Sequence, residues 1–300
     1  DGGQVMGLVG GEYGVIFQER AIRRMTYVGS PIIFQIDKIS LEHGTPAEGS
    51  IAAFESMVFF LSDNGFYRLD NGSRLTPIGA QKVDRYFFND FDATYPYRIT
   101  AAVDPLNKLY VVSYPGEGNV NGTPNKLLIY NWDVDRWSRA EVELERLHTA
   151  ATQSGYTLDQ LDNVSSSLDA LPFSLDSRVW TGAGRLLLAG FNTDHKIGFF
   201  NGDNLDAVVE TTEAQLIPER RALVTGFRPM VQGGTVTAQL GTRNRQSEPV
   251  VWNGEIAVNQ FGMCNTRSNA RYHRARIKAS GNFEHIMGID DIQASSAGLR

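Results

Sequence analysis

Three hundred residues, 42% of them hydrophobic and 21% charged, make an ordinary folded chain with room for one large domain or two medium ones. A formal net charge of −6 argues against gripping nucleic acid over a broad surface, and the lone Cys264 excludes an internal disulfide and a cysteine metal cluster. The 30 glycines against 11 prolines, with 10% aromatics, favour many strands joined by tight turns over a helical bundle.

The chain opens at Asp1 with no charged-then-apolar leader, so no signal peptide is expected. GGQVMGLVGGEYGVIFQE (2–19) reads as mid-fold strand material, and the expectation is the ordered part of a longer polypeptide. No run of about 18 apolar residues offers a membrane-spanning segment. EYGVIFQERAIRRMTYV (12–28) then reads as strand, polar turn and strand, and IIFQIDKIS (32–40) continues it. IAAFESMVFFLSDNGFYRL (51–69) repeats the form, with DNGS (70–73) turning the chain again. RITAAVDPLNKLYVVSYP (98–115) repeats it around Asp104, Pro105, Leu106 and Asn107, and KLLIYNWDVDRWSRAEV (126–142) is a further hairpin. The turns are filled by Gly, Asn, Asp and Pro, which accept positive φ or pre-set a turn, so these are antiparallel meanders.

A polar stretch, GYTLDQLDNVSSSLDALPFSLDSR (155–178), reads as an inserted loop that contacts a neighbouring subunit or another protein. GRLLLAGFNTDHKIGFFNGDNLDAVVET (184–211) resumes the hairpin grammar. The phrases begin near residues 11, 51, 98 and 184, and the first three are spaced by the roughly 40–50 residues of a four-stranded blade. The expected fold is therefore all-β: a partly irregular β-propeller of about four to six blades over 11–211, within a domain of residues 1–211. After 212 the style changes. TGFRPMVQGGTVTAQLGTRNRQSEPVVW (225–252) alternates around a Gly233-Gly234 turn, and NARYHRARIKASGNFEHIMGIDDIQAS (269–295) adds two strands. Residues 212–300 are expected to form a small C-terminal β module, either a sandwich or strands that close the ring.

No catalytic, cofactor-binding or metal-ligating residue emerges from the motifs. SDNG (62–65) resembles the Asp-box turn of sialidases, but Asp63 follows Ser62 directly and Phe66-Tyr67 replaces the Thr and Trp of that motif; a structural turn is expected. Asp133 and Asp135 in NWDVDRW have the i, i+2 spacing of a shared calcium ion, yet Arg136 and Trp137 follow where further oxygen ligands belong, which favours a hairpin. GLVGGEYG (7–14) is glycine-rich, but no helix follows to receive a phosphate. The histidines at 43, 148, 195, 273 and 285 show no zinc spacing, no Gly-x-Ser-x-Gly elbow exists, and Cys264 has no assignable partner.

One local feature stands out. RSNARYHRARIK (267–278) carries Arg267, Arg271, Arg274, Arg276 and Lys278 in an acidic protein. On a strand, Tyr272, Arg274, Arg276 and Lys278 share one face while Ala275 and Ile277 take the other. Such a stripe meets either nucleic-acid phosphates or the carboxylates of a neighbouring subunit, and the subunit interface is favoured because few stacking aromatics accompany it.

GVIFQERAIRRMTYVGSPIIFQIDKI, VFFLSDNGFYRL followed by KVDRYFFNDFD (82–92), LLIYNWDVDRWS, TLDQLD, ARYHRARI and the terminal GLR together resemble bacteriophage structural proteins, similar to the hub or nozzle proteins of short-tailed phages. The resemblance implies a propeller-containing virion subunit, assembled in the host cytoplasm into a homo-oligomeric ring, usually a hexamer. That ring would sit below the portal and adaptor, carry tail fibres or spikes, and pass double-stranded DNA without binding it. It implies no enzyme and no functional residues. The alternative is a propeller that binds or degrades carbohydrate at the host surface. It would need paired carboxylates facing one pocket, or exposed aromatics in loops such as FDATYPY (91–97).

Overall fold

The computed structural model describes residues 2–152, 165, 167, 185–200 and 204–298. It divides into two units, Asp1–Phe200 and Asn201–Arg300. The boundary falls between Phe200 and Asn201, ahead of the 211/212 boundary read from the sequence. The loop expected at 155–178 lies, apart from Ser165 and Ser167, outside the described residues.

The first unit is a series of antiparallel meanders. One sheet holds β1 (Val5–Val9), β2 (Gly14–Gln18), β3 (Ile22–Tyr27) and β4 (Phe34–Ser40) in that order. The second holds β5 (Ala52–Phe54), β6 (Met57–Ser62), β7 (Gly65–Asp70) and β8 (Arg74–Pro77). The third holds β9 (Thr100–Asp104), β10 (Leu109–Tyr114), β11 (Lys126–Asn131) and β12 (Arg136–Glu141). A fourth has three strands, β13 (Arg146–Thr152), β14 (Arg185–Phe191) and β15 (Ile197–Phe199).

Why these segments are so apolar follows from how the sheets stack. In β6 the alternate residues Val58 and Phe60 enter a core shared with Val15, Phe17 and Ile22 of the first sheet. Phe59 and Leu61 point the other way, into a core shared with Tyr110, Val112, Tyr114, Leu128 and Tyr130 of the third. In turn Val111 and Leu127 of the third sheet meet Leu147 and Leu188 of the fourth. A sheet covered on both faces needs apolar residues at every position, so VFFL and LYVV read as unbroken runs. Each such large side chain contributes about 1.5–3 kcal/mol on burial. Meanders of four strands stacked face to face are how propeller blades are built, and this all-β architecture fits the blade-by-blade fold expected from the hairpin spacing.

Among the described residues no buried cluster joins the fourth sheet back to the first. Among the described residues the first sheet accordingly has one covered and one uncovered face. On the uncovered side the directly opposed pairs are Leu8 with Ile16, Met25 with Ile36 and Tyr27 with Phe34. Leu8, Tyr27, Phe34 and Ile36 are 63%, 69%, 52% and 52% exposed, and Ile32 and Ile33 in the preceding loop are exposed as well.

Two details depart from the sequence expectation. The stretch 82–92 adds a helix, α1 (Asp84–Asp90), to a chain expected to be almost entirely strand and turn; Val83, Phe87 and Phe91 recur at four-residue spacing and lean on the core between the second and third sheets. The phrase 184–211 is also not one hairpin. Its first two strands finish the fourth sheet, whereas β16 (Ala207–Glu210) pairs within the second unit.

The second unit is built on a long ribbon of β17 (Ala222–Arg243) and β21 (Tyr272–Ser296), with β18 (Val251–Trp252), β19 (Ile256–Ala257) and β20 (Cys264–Ala270) on the other edge of β17. Gly233-Gly234 is not a hairpin turn: β17 runs through it, paired with β21 on both sides. Both glycines have positive φ, and a Cβ would lie 2.8 Å from the Asn282 carbonyl at Gly233 and 2.6 Å from the Ser280 carbonyl at Gly234. They permit the bulges that bend the ribbon. One half, through Val224, Phe227 and Ile289, then closes on the other, through Ala238, Leu240 and Ala275.

Candidate functional site

In the first unit a groove of about 440 Å³ opens beside the third sheet, lined by Glu117, Gly118, Asn125, Lys126, Glu141, Val142 and Glu143. Its wall is set by the β10–β11 connection, the start of β11 and the end of β12. The Asn125 side chain holds this connection in place by accepting from the Gly116 amide at 2.8 Å and donating to the Glu117 carbonyl at 3.2 Å. Behind the groove, Lys126 Nζ reaches Asp90 Oδ1 at 2.6 Å. Tyr114 Oη donates to Asp90 Oδ2 at 2.8 Å, and the Glu117 amide adds a longer contact of 3.4 Å.

Asp90 closes the C-terminal turn of α1, where backbone carbonyls make a carboxylate unwelcome. Its partners compensate. Burial pushes Asp90 up, but the hydrogen bonds from Lys126 and Tyr114 and the Lys126 charge hold it below the ordinary carboxylate value. Burial works against the Lys126 charge too, and Asp90 outweighs it, leaving the ammonium above its usual value. Burial and the Asp90 carboxylate together push the Tyr114 phenol far up, so it stays protonated and donating. The ammonium is thus committed, and Glu117, Glu141 and Glu143 give the groove an acidic rim. Tyr95 packs against Gly122 of the β10–β11 connection and meets the exposed Tyr97 edge to face at 6.2 Å in the 91–97 loop.

The basic stripe takes the alternation expected of it. His273, Ala275, Ile277 and Ala279 are buried on one face of β21, while Tyr272, Arg274, Arg276 and Lys278 lie on the other. Its charged groups find partners within the same unit. Arg274 and Arg276 both reach Glu210 of β16 at 2.6 Å, Lys278 pairs with Glu255, and the Arg276 guanidinium lies 4.0 Å from the centre of the Trp252 ring. Arg271 donates its guanidinium to the Glu219 carbonyl at 3.5 Å, and Arg267 is exposed on β20. Among the described residues two carboxylates thus face three cations, and one positive charge of the stripe stays unmatched.

The remaining sequence candidates resolve as structure. Asp63 and Asn64 form the two-residue connection between Ser62 and Gly65, which oppose each other in the β6–β7 ladder. Asp133 and Asp135 sit in the β11–β12 turn but serve different lysines, Lys108 at 2.8 Å and Lys82 at 2.6 Å. Cys264 is buried, and burial pushes its thiol up, away from reactivity. Among the described residues no group of three His, Cys, Asp or Glu is placed to hold a metal ion. Sequence reasoning missed Asp90, Tyr114 and Lys126. The spacing of Val83, Phe87 and Phe91 could have revealed the helix that ends at Asp90, but nothing in the sequence ties Asp90 to Lys126.

No protein-family model matches the chain, and no curated protein matches its sequence. Among solved structures, an exo-β-1,3-galactanase from Phanerochaete chrysosporium in complex with β-1,3-galactotriose aligns over 94% of this chain and 77% of its own, with 10% identity and a TM-score of 0.27. So distant a likeness carries no functional argument.

Proposed function

We propose that the chain is an assembling structural subunit, a hub or nozzle ring subunit of a short-tailed phage tail, built into the virion in the host cytoplasm. The observation that supports this reading is the uncovered face of the first sheet. A monomer working alone in water has no use for Leu8, Tyr27, Phe34 and Ile36 presented together, whereas contiguous exposed apolar surface is what assembling proteins bury. A ring forms by heterologous contact, in which one patch meets a different patch on the next copy. The resemblance over most of the sequence supports the choice of a tail ring, and the net charge of −6 suits a channel wall that lets DNA slide past.

The acidic groove, together with the Tyr95–Tyr97 pair whose Tyr95 packs on Gly122 of the same β10–β11 connection, favours a second reading, a carbohydrate-binding or carbohydrate-cleaving protein at the host surface. One experiment separates the two. Analytical ultracentrifugation and negative-stain imaging of the purified chain should show ring-sized particles, which Phe34→Glu converts to monomers with an unchanged circular dichroism spectrum. A wild-type protein that stays monomeric at tens of micromolar, and that releases reducing ends from host polysaccharide, would replace the first reading by the second.

A further inference from the structure

The bend that folds the β17–β21 ribbon onto itself does not fill the space it encloses. Between the halves lies a cavity of about 190 Å³, walled by Leu216, Val224, Phe227, Leu240, Ile289 and Ile292. An apolar cavity of roughly 150 Å³ accepts benzene, so this one has space for a ring with a small substituent. Polar character enters from the 211–214 segment, from His273 and from Arg274.

His273 is the anomaly. It is 4% exposed, and neither of its ring nitrogens makes a hydrogen bond of ordinary geometry, the Ser268 backbone lying only close enough to favour the protonated ring weakly against burial. Its backbone is fixed by paired 2.9 Å bonds with Ala214, so the side chain is held at the cavity wall. Burial lowers its pKa, which keeps the imidazole neutral near pH 7, with one N–H to donate and one nitrogen to accept. A buried group left unpaired in this way costs about 1–3 kcal/mol. The ring torsion about Cβ–Cγ is soft for histidine, so a modest turn can present either nitrogen to the cavity. Thr211 adds a hydroxyl at the same side, already accepting the Ala275 amide at 3.0 Å and still free to donate. A water molecule there would have mostly hydrocarbon around it, whereas a ring bearing one hydroxyl would match both the walls and the imidazole.

We propose that the second unit binds a small aromatic alcohol of phenol size in this cavity, with the ring against Phe227, Leu240 and Ile289 and the hydroxyl on His273. The test titrates the full chain with p-cresol and with toluene, which differ only in the hydroxyl, and reads affinity by calorimetry and the His273 imidazole nitrogens by NMR. Wild type should prefer p-cresol by about five- to ten-fold, the value of one added hydrogen bond, with a shift of the His273 nitrogens on p-cresol alone. His273→Phe should bind both compounds equally, and Ala275→Leu, which fills the cavity, should bind neither. Equal binding of the two compounds by wild type, no binding of either, or p-cresol binding without a His273 shift would overturn the proposal. Should His273→Phe fail to fold, the imidazole shift in wild type still decides.

Discussion

Replacing Phe59 by alanine is the most direct test of the stacked-sheet architecture. Phe59 is fully buried, with its ring stacked on Tyr110 at 4.9 Å and on Trp132 at 5.4 Å and edge-on to Tyr130 at 6.2 Å. Truncating a buried phenylalanine costs about 3–5 kcal/mol, a large part of the roughly 5–15 kcal/mol that holds a domain together. With a urea dependence of about 2 kcal/mol per molar, the midpoint should fall by about 1.5–2.5 M. Trp132 and Trp137 adjoin the same core, so tryptophan fluorescence reports its loss directly. Phe34→Ala is the comparison. Its ring is half exposed on the uncovered face, and at dilution low enough to keep the protein monomeric the change should stay near 0.5 kcal/mol, about a quarter of a molar. If Phe34→Ala shifts the monomer as far as Phe59→Ala does, the first sheet is covered on both faces and the argument for an assembly surface falls with it.

Other outcomes are expected. Lys126→Met leaves Asp90 charged and short of one partner, and should cost about 1.5–3 kcal/mol, the range for a hydrogen bond to a charged group, in urea denaturation. Because the folded Asp90 titrates below its ordinary 3.8, its contribution is present above about pH 4 and is lost as pH falls through the folded value, which a pH series on wild type and Asp90→Asn should resolve. His273 behaves in the same sense from a different cause: its folded pKa lies below the ordinary 6.5, so the second unit should lose stability as pH drops beneath that value, and His273→Phe should flatten the slope. Gly79→Ala would set a Cβ 1.8 Å from Asp84 Oδ1 and dislodge the carboxylate that accepts the Phe66 amide at 3.1 Å; a loss of about 2–4 kcal/mol is expected, whereas Gly10→Ala, with nothing within 4 Å, should be nearly silent in the same thermal melt.

The sequence made the hairpins plain because their punctuation is local. Asp63-Asn64, the 105–108 turn and the 132–135 turn all separate antiparallel partners, and a turn residue acts within its own few positions. Which face each strand residue takes was less visible. In a run such as VFFL every residue is apolar, so periodicity cannot say that Phe59 and Phe60 belong to different cores. The Gly233-Gly234 pair misled for a related reason: glycines that admit a turn also admit a bulge, and only the long-range partner β21 decides between them. At the groove, Asp90 and Lys126 are 36 positions apart and meet through tertiary packing alone. The basic stripe was legible as a stripe because strand alternation is local, but the acids that pair with it, Glu210 and Glu255, come from elsewhere in the chain.

The sheets with two apolar faces have a consequence for how the strands find their alignment. In a sheet with one wet face, slipping a strand by one residue turns its apolar set toward water, and that penalty fixes the pairing. A slip of β6, β10 or β11 exchanges one greasy surface for another, so polarity alone leaves the alignment loosely specified. Side-chain hydroxyls supply what polarity does not. Tyr110 donates to the Ser50 carbonyl at 2.7 Å, Tyr114 to Asp90 at 2.8 Å and Tyr130 to Asp135 at 2.9 Å, three neighbouring phenols each aimed at a different fixed acceptor. Shifted by one position, all three would end in hydrocarbon with nothing to bond. These tyrosines therefore act as alignment pins, and replacing them together by phenylalanine would leave a core just as oily with no means of telling one pairing from the next.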